Sequence, residues 1–236
     1  MALDVYVGSL TRYHAGEWET VGEKASRERL RQGLVARPRG PAALVESSAG
    51  IHAAVVAWRA DLVRSLGDRI DTPLDWEETP DAPYFTGRPG WDGFGSLVLW
   101  AAYAEHPSRR CPGVLPEEWD SDPVLMRSNA DGFRSRYAHL LRPVEIWLPN
   151  PFDFTFENLN VDGRPTVVGS ATVLRRQLSE LNGATWQASG AVVAGWGRTP
   201  PSAGTLLEQR ARYAFAVLSE LAQQATGHKL PMRLDF

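Results

Sequence analysis

The sequence predicts one α+β domain spanning residues 1–236, in which a mainly antiparallel sheet packs against several helices. Short segments at both ends and in the middle of the chain alternate apolar and polar residues, as strands do. Longer segments between them repeat apolar residues at helical spacing. The chain contains no internal repeat and no low-complexity linker, and this favours a single domain.

A period of two predicts strands in widely separated parts of the chain. Residues 3–7 alternate in this way near the N-terminus. Residues 144–148 do the same, so Glu145 and Trp147 are expected on the polar face of a half-buried strand. The other predicted strands are residues 152–157, 165–168 and 231–236.

A tight hairpin turn is predicted at Asp162-Gly163, because both residue types tolerate the positive φ angles that its two central positions require. Ser170 follows the second strand of this hairpin. Its hydroxyl group can accept a hydrogen bond from a backbone N–H, so Ser170 is the predicted N-cap of the next helix.

Apolar residues recur at helical spacing in five segments, of which residues 94–106 are apolar on every side. A helix without a polar face is typical of a central position among other elements. Thr205-x-x-Glu208 predicts a capping box at the start of the last helix, and Gly227 is predicted just beyond its end. Residues 191–194 predict a short strand or a loop. The predicted helices are residues 18–34, 50–66, 94–106, 170–182 and 205–226, with a short helix pair over 117–131 and a further helix over 133–141.

The composition is that of a soluble globular protein and argues against several classes of function. The net charge of −3 argues against a generic nucleic-acid-binding protein, since such proteins carry a basic surplus. The single cysteine, Cys111, excludes an intrachain disulfide framework and a cysteine-rich zinc site. The start MALDVYVGSL lacks the basic region of a signal peptide, and no apolar segment is long enough to cross a membrane. We therefore expect a cytoplasmic protein that does not bind membranes.

Standard motifs for nucleotide binding, zinc proteolysis and serine nucleophiles do not occur in the sequence. We accordingly expect no cofactor. Arg109 and Arg110 precede Cys111, and their charge could lower the pKa of its thiol. No base is identifiable for such a nucleophile, so the sequence favours a structural cysteine.

Residues 67–92 form the longest segment without clear periodicity. Between Asp71 and Asp92 it carries six carboxyl groups against one basic residue, Arg88, together with four aromatic residues. Its prolines deny it a long helix or a central strand. Long loops inside a compact domain are usually functional or disordered, and the aromatic residues argue against plain disorder.

This loop predicts a soluble bacterial interaction protein, immunity- or defence-like, that binds a basic protein partner. Carboxyl groups would steer a cationic surface, and aromatic side chains would supply buried anchors. Immunity proteins that cover the active site of a basic toxin have a similar composition. A lid whose aromatic side chains seal the core beneath them is an equally weighted alternative. The predicted partner-binding residues are Asp75, Trp76, Glu77, Glu78, Asp81, Tyr84, Trp91 and Asp92.

Two other functions remain open at the level of the sequence. One is an enzyme, such as a metal-dependent hydrolase, whose carboxylates on the sheet would converge with His14 on a divalent cation or act as an acid and base. Its candidate carboxylates are Asp4, Glu145 and Glu157. The other is a subunit that buries an aromatic patch against another chain, suggested by nine tryptophans in 236 residues.

Overall fold

Six strands form one mixed sheet in the computed structural model, which describes residues 3–31, 48–70, 72–79, 81–202 and 204–236. Their spatial order is β2-β1-β6-β3-β5-β4. The strands are β1 (Asp4–Val7), β2 (Phe85–Gly87), β3 (Val144–Leu148), β4 (Phe156–Leu159), β5 (Pro165–Ser170) and β6 (Met232–Asp235). The predicted α+β architecture with a mainly antiparallel sheet is confirmed. It needs one correction, because β3 and β5 run parallel.

Helices cover both faces of this sheet. The larger core lies between one face and three long helices, α4, α7 and α9, and the smaller core lies between the other face and α1 and α3. The described helices are α1 (Leu10–His14), α2 (Val21–Arg31), α3 (Ser48–Leu66), α4 (Trp91–Glu105), α5 (Pro123–Ser128), α6 (Ala138–Leu141), α7 (Ala171–Ala184), α8 (Gly190–Trp196) and α9 (Leu207–His228). Residues 32–34, the end of the first predicted helix, lie outside the described residues.

Burial on both faces explains one wrong prediction about β3. Trp147 was expected on a polar face, but it is completely buried, and its indole N–H donates to the carbonyl oxygen of His139 at 2.8 Å. Only Glu145 keeps partial exposure in this strand. A period of two identifies the strand correctly and does not reveal whether a second layer covers it.

The predicted N-cap is confirmed for α7 and wrong for α9. Ser170 accepts a hydrogen bond from the amide of Val173 at 3.2 Å, which confirms the predicted N-cap of α7. The capping box of the last helix is wrong: α9 begins at Leu207 without a side-chain cap, and Glu208 accepts instead from Trp186. The helix also continues past Gly227 to His228.

The predicted hairpin forms between β4 and β5, but its turn differs. Of the two predicted central residues, Gly163 has a positive φ, of 76°, and Asp162 does not. The side chain of Asn160 accepts hydrogen bonds from the amides of Asp162 and Arg164. The first strand also begins later than predicted, at Phe156. Residues 191–194 belong to α8 rather than to a strand or a loop.

His139, in α6, joins three elements in the larger core. Its Nδ1 accepts the amide hydrogen of Ser170 at 2.9 Å, and its own amide donates to Oε1 of Gln177 at 2.9 Å. The residue has no exposed surface. Burial lowers the pKa of its imidazole to about 4, because the cationic form would lose its hydration.

We predict that this histidine makes the fold sensitive to acid. Its stabilising effect is complete above the unfolded-state pKa of 6.5 and is lost as the pH falls through about 4. The loss should reach about 3 kcal/mol at the lower value. His139→Gln keeps an acceptor for Ser170 and cannot titrate. The free energy of unfolding of the parent minus that of the variant, from urea titrations, should therefore shrink between pH 7 and pH 4; a constant difference would contradict the prediction.

Candidate functional site

The segment that the sequence singles out divides into three structural parts. Residues 72–79 have no regular secondary structure, residues 85–87 form the edge strand β2, and Trp91 begins α4. Asp71 and Pro80 lie outside the described residues. The predicted irregular loop therefore contains a strand and a helix start.

Trp76 and Glu78 point into the protein. They are only 3% and 6% exposed. Trp76 packs in the smaller core against Trp58, and its indole N–H donates to Oε1 of Glu78 at 2.6 Å. These two predicted partner-binding residues therefore have almost no accessible surface and serve the packing of the segment.

The carboxyl group of Glu78 anchors the segment to the start of α1. It accepts hydrogen bonds from the amides of Leu10 and Thr11, each at 2.9 Å, and from the hydroxyl group of Thr11 at 2.8 Å. The first amides of a helix have no partner within the helix, so Glu78 acts as a cap supplied from 67 residues away in the chain.

Asp75, Glu77 and Asp81 point outward in alternation with these buried residues. Asp75 lies 3.6 Å from the guanidinium group of Arg59. Glu77 accepts the amide hydrogen of Thr79 at 2.9 Å, and this hydrogen bond lowers the pKa of its carboxyl group. The outward face of residues 75–81 therefore carries negative charge.

Tyr84 is half-buried and stacks on Tyr6 of β1, with ring centroids 6.2 Å apart. Two cations approach its ring: the ammonium group of Lys24 at 4.6 Å and the guanidinium group of Arg12 at 5.3 Å. The Lys24 ammonium also donates to the hydroxyl group of Thr86 at 2.9 Å. Lys24 thus links α2 to β2.

A groove runs beside β2, between α2 and α9. It consists of two adjoining cavities of about 370 Å³ and 660 Å³, which share Val21, Arg88 and Tyr213 as lining residues. Tyr84 lines the first cavity, and Trp91 and Asp92 line the second. Three of the eight predicted residues therefore lie along one groove. We call this feature the β2 groove.

The free edge of β2 borders the β2 groove. Within the described residues β2 pairs only with β1, so its other edge carries no strand. Alternate residues of an edge strand direct their N–H and C=O groups away from the sheet. Gly87 lets α9 approach closely, because a Cβ atom there would lie 2.7 Å from Val217. The groove thus combines unpaired backbone groups with a helical wall.

An ion pair supports the floor of the β2 groove. Arg88 donates to the carboxylate of Asp4 at 2.8 Å and 3.1 Å, and Tyr213 donates to the carbonyl oxygen of Arg88 at 3.1 Å. The Asp4 side chain is almost completely buried. The hydrogen bond to Asp4 raises the pKa of Arg88, with its charge adding to the effect. At the far end of the groove Arg210 forms a close ion pair with Asp92.

Tyr213 and Val217 were missed by the sequence analysis, although they form one wall of the groove. Tyr213 and Val217 lie on the side of α9 next to its apolar stripe. The spacing of four between them is visible in the sequence, but helical spacing alone does not show which neighbour a stripe faces.

The residues of the predicted catalytic cluster have separate partners. Asp4 binds Arg88, Glu145 accepts from Thr166 at 3.0 Å, and Glu157 is exposed on β4. His14 lies 3.3 Å from the guanidinium group of Arg233, and its pKa is lowered to about 4 by burial and then by that charge. Across the described ranges, no three histidine, cysteine or carboxylate side chains come together as a metal site would require.

Cys111 is a half-buried free thiol. Burial, with the nearby charges of Asp122 and Glu208, raises its thiol pKa to about 11. Its arginine neighbours in the sequence do not reverse this effect. Since the thiolate is the reactive form, this cysteine is a poor nucleophile at neutral pH.

Comparisons with known proteins do not assign a family. No family model matches the chain, and no curated protein or solved structure is significantly similar to it. Among the described helices, none has the length and apolar character that crossing a membrane requires. The function is therefore inferred from the geometry of the site.

We predict that Glu78 is essential for stability. In Glu78→Gln, an amide N–H₂ replaces one acceptor oxygen and faces backbone or indole donors. Leaving such buried donors unpaired should lower the free energy of unfolding by about 3 kcal/mol in urea titrations. Asp81→Asn is the matched control, because Asp81 is exposed and forms no hydrogen bond with any described residue. Equal unfolding midpoints for the two variants would refute this role of Glu78.

A second prediction concerns the ion pair beneath the β2 groove. Arg88→Leu leaves the Asp4 carboxylate buried without its partner, and this should cost about 3 kcal/mol of unfolding free energy. Adding Asp4→Leu removes the stranded charge and should restore much of that loss. Chemical denaturation of both single variants and the double variant measures the coupling. Simple additivity of the two single effects would show that the pair is not coupled.

Proposed function

We propose that this protein binds an extended, basic segment of a protein partner in the β2 groove. The observation that supports this most directly is the groove itself, which follows the free edge of β2. An extended peptide can add to such an edge through main-chain hydrogen bonds, while pockets beside it accept alternate side chains. Tyr84 and Trp91 offer aromatic surface along the same path.

The exposed carboxyl groups support a basic partner. The amide of Glu77 donates to the carbonyl oxygen of Lys229, and His228 contacts Phe85 of β2, with ring centroids 5.2 Å apart. Glu77 therefore lies near the Phe85 end of the β2 groove, and Asp81 precedes β2 by only a few residues. Positive side chains at this end of a bound segment would meet both carboxylates, which steer association more than they add affinity.

This proposal modifies the set of contact residues expected from the sequence. Asp75, Glu77 and Asp81 contribute charge, Tyr84, Trp91 and Asp92 line the groove, and Trp76 with Glu78 hold the segment in place. The loop is therefore both a surface and a lid in this proposal. An immunity or defence role, in which a small acidic protein covers a basic partner, is the biological setting that we propose for it.

An enzymatic function stays an untested alternative, and the separate partners of Asp4, Glu145 and His14 give it no common site. The hypothesis of a subunit that buries an aromatic patch against another chain loses its main support. All nine tryptophans are buried or half-buried within this chain, for example in the stacked pair Trp100 and Trp186, whose ring centroids are 5.5 Å apart. Internal packing accounts for the high tryptophan content.

Selection from a display library of random extended peptides tests the proposal. We expect the selected sequences to be rich in lysine and arginine. Proline should be depleted at the positions that pair with β2, because proline cannot donate a main-chain hydrogen bond. Selected peptides without either property would contradict addition to a strand edge.

Binding kinetics of one selected peptide then separate the two contributions. Glu77→Lys combined with Asp81→Lys should slow association about tenfold and reverse its salt dependence, with little change in dissociation. Asp120→Lys combined with Asp131→Lys is the control with the same net charge. Gln224 lies on the wall of the β2 groove. Gln224→Trp should speed dissociation, because the larger side chain obstructs the space that the peptide occupies. Equal kinetics in all of these folded variants would rule out binding at this site.

A further inference from the structure

A second pocket lies on another part of the surface, where α4 ends and α5 begins. Its volume is about 410 Å³, within the range of small-molecule sites. Tyr103, Pro123 and Val124 give it an apolar base, and Arg109, Arg110 and Arg127 line it together with His106. We call it the arginine pocket. It shares no lining residue with the β2 groove.

The three arginines have no counter-charge. Within the described part of the chain, none of their guanidinium groups forms an ion pair or donates a hydrogen bond, and all three side chains are exposed. This contrasts with Arg59, Arg88, Arg176 and Arg210, each of which lies against a carboxylate. In a chain with a net charge of −3, three unpaired cations around one cavity concentrate positive potential there.

Asp122 contacts two residues at the base of this pocket, but its oxygens are bound to those residues. Oδ1 accepts the amide of Val124 at 2.8 Å, and Oδ2 accepts the hydroxyl group of Tyr103 at 3.2 Å. The residue is 9% exposed, and its side chain caps the start of α5. It therefore braces the base of the pocket and leaves the guanidinium groups free.

We propose that the arginine pocket binds a small molecule that carries a phosphate group. Guanidinium groups present paired donors that match the oxygens of a phosphate, and several of them can share its charge. His106 also lines the pocket and holds its imidazole toward Ser128, with 3.1 Å between Nε2 and Oγ. The ring of Tyr103 and the side chains of Pro123 and Val124 take the organic part of the ligand.

Isothermal titration calorimetry of the full chain tests this with three probes: inorganic phosphate, adenosine 5′-monophosphate and adenosine. Inorganic phosphate should bind, the nucleotide should bind more tightly, and adenosine should not bind detectably. Raising the salt concentration should weaken both phosphate-bearing probes, because screening reduces the attraction of exposed charges. If neither phosphate-bearing probe binds, or if adenosine binds as well as its monophosphate, the proposal is wrong.

Variants assign the binding to the pocket. Arg109→Ala and Arg127→Ala should each weaken nucleotide binding about tenfold or more, the usual effect of losing a charged hydrogen bond. Arg198→Ala removes the same charge from an exposed position that does not line the pocket, and it should leave the affinity unchanged. A purely structural role of the arginines would lower the melting temperature of the variants while their nucleotide affinity stayed that of the parent. That result would also overturn the proposal.

Discussion

The buried carboxyl group of Glu78 determines where the acidic segment lies. It satisfies two amides at the start of α1 and the indole N–H of Trp76, so one side chain joins α1, the smaller core and residues 72–79. A buried cluster of donors without this acceptor would carry a large desolvation cost. The next elements in the chain, β2 and α4, continue from this fixed position.

The position of the β2 groove follows from that anchor and from one ion pair. Once residues 72–79 are held against α1, the chain is led to the edge of β1, where β2 pairs in antiparallel register. Asp4 then holds Arg88 one residue beyond β2, and Gly87 allows α9 to approach. The opposite wall is α2, joined to β2 through Lys24. Elements far apart in the sequence thus shape a single surface.

Short-range sequence patterns predict most of the helices and strands. The candidate site, in contrast, depends on contacts between residues that lie far apart in the chain. Ser170 caps α7 from the adjacent residue, and the apolar α4 is central because no polar stripe could face solvent. The direction of Glu78, in contrast, depends on donors 67 and 68 residues away. Its neighbour Glu77 has the same side chain and points outward. Composition counts both as acidic surface, and only the tertiary arrangement distinguishes them.

The place of β6 in the sheet has a consequence for biosynthesis. Among the described strands β6 comes last in the chain, yet it lies between β1 and β3 and pairs with both. Until residues 232–235 leave the ribosome, β1 with β2 and β3 with its neighbours are two separate ribbons with uncovered edges. Such edges attract other chains. The two ribbons are therefore joined only after α9 has been synthesised, and their strand edges stay uncovered until then.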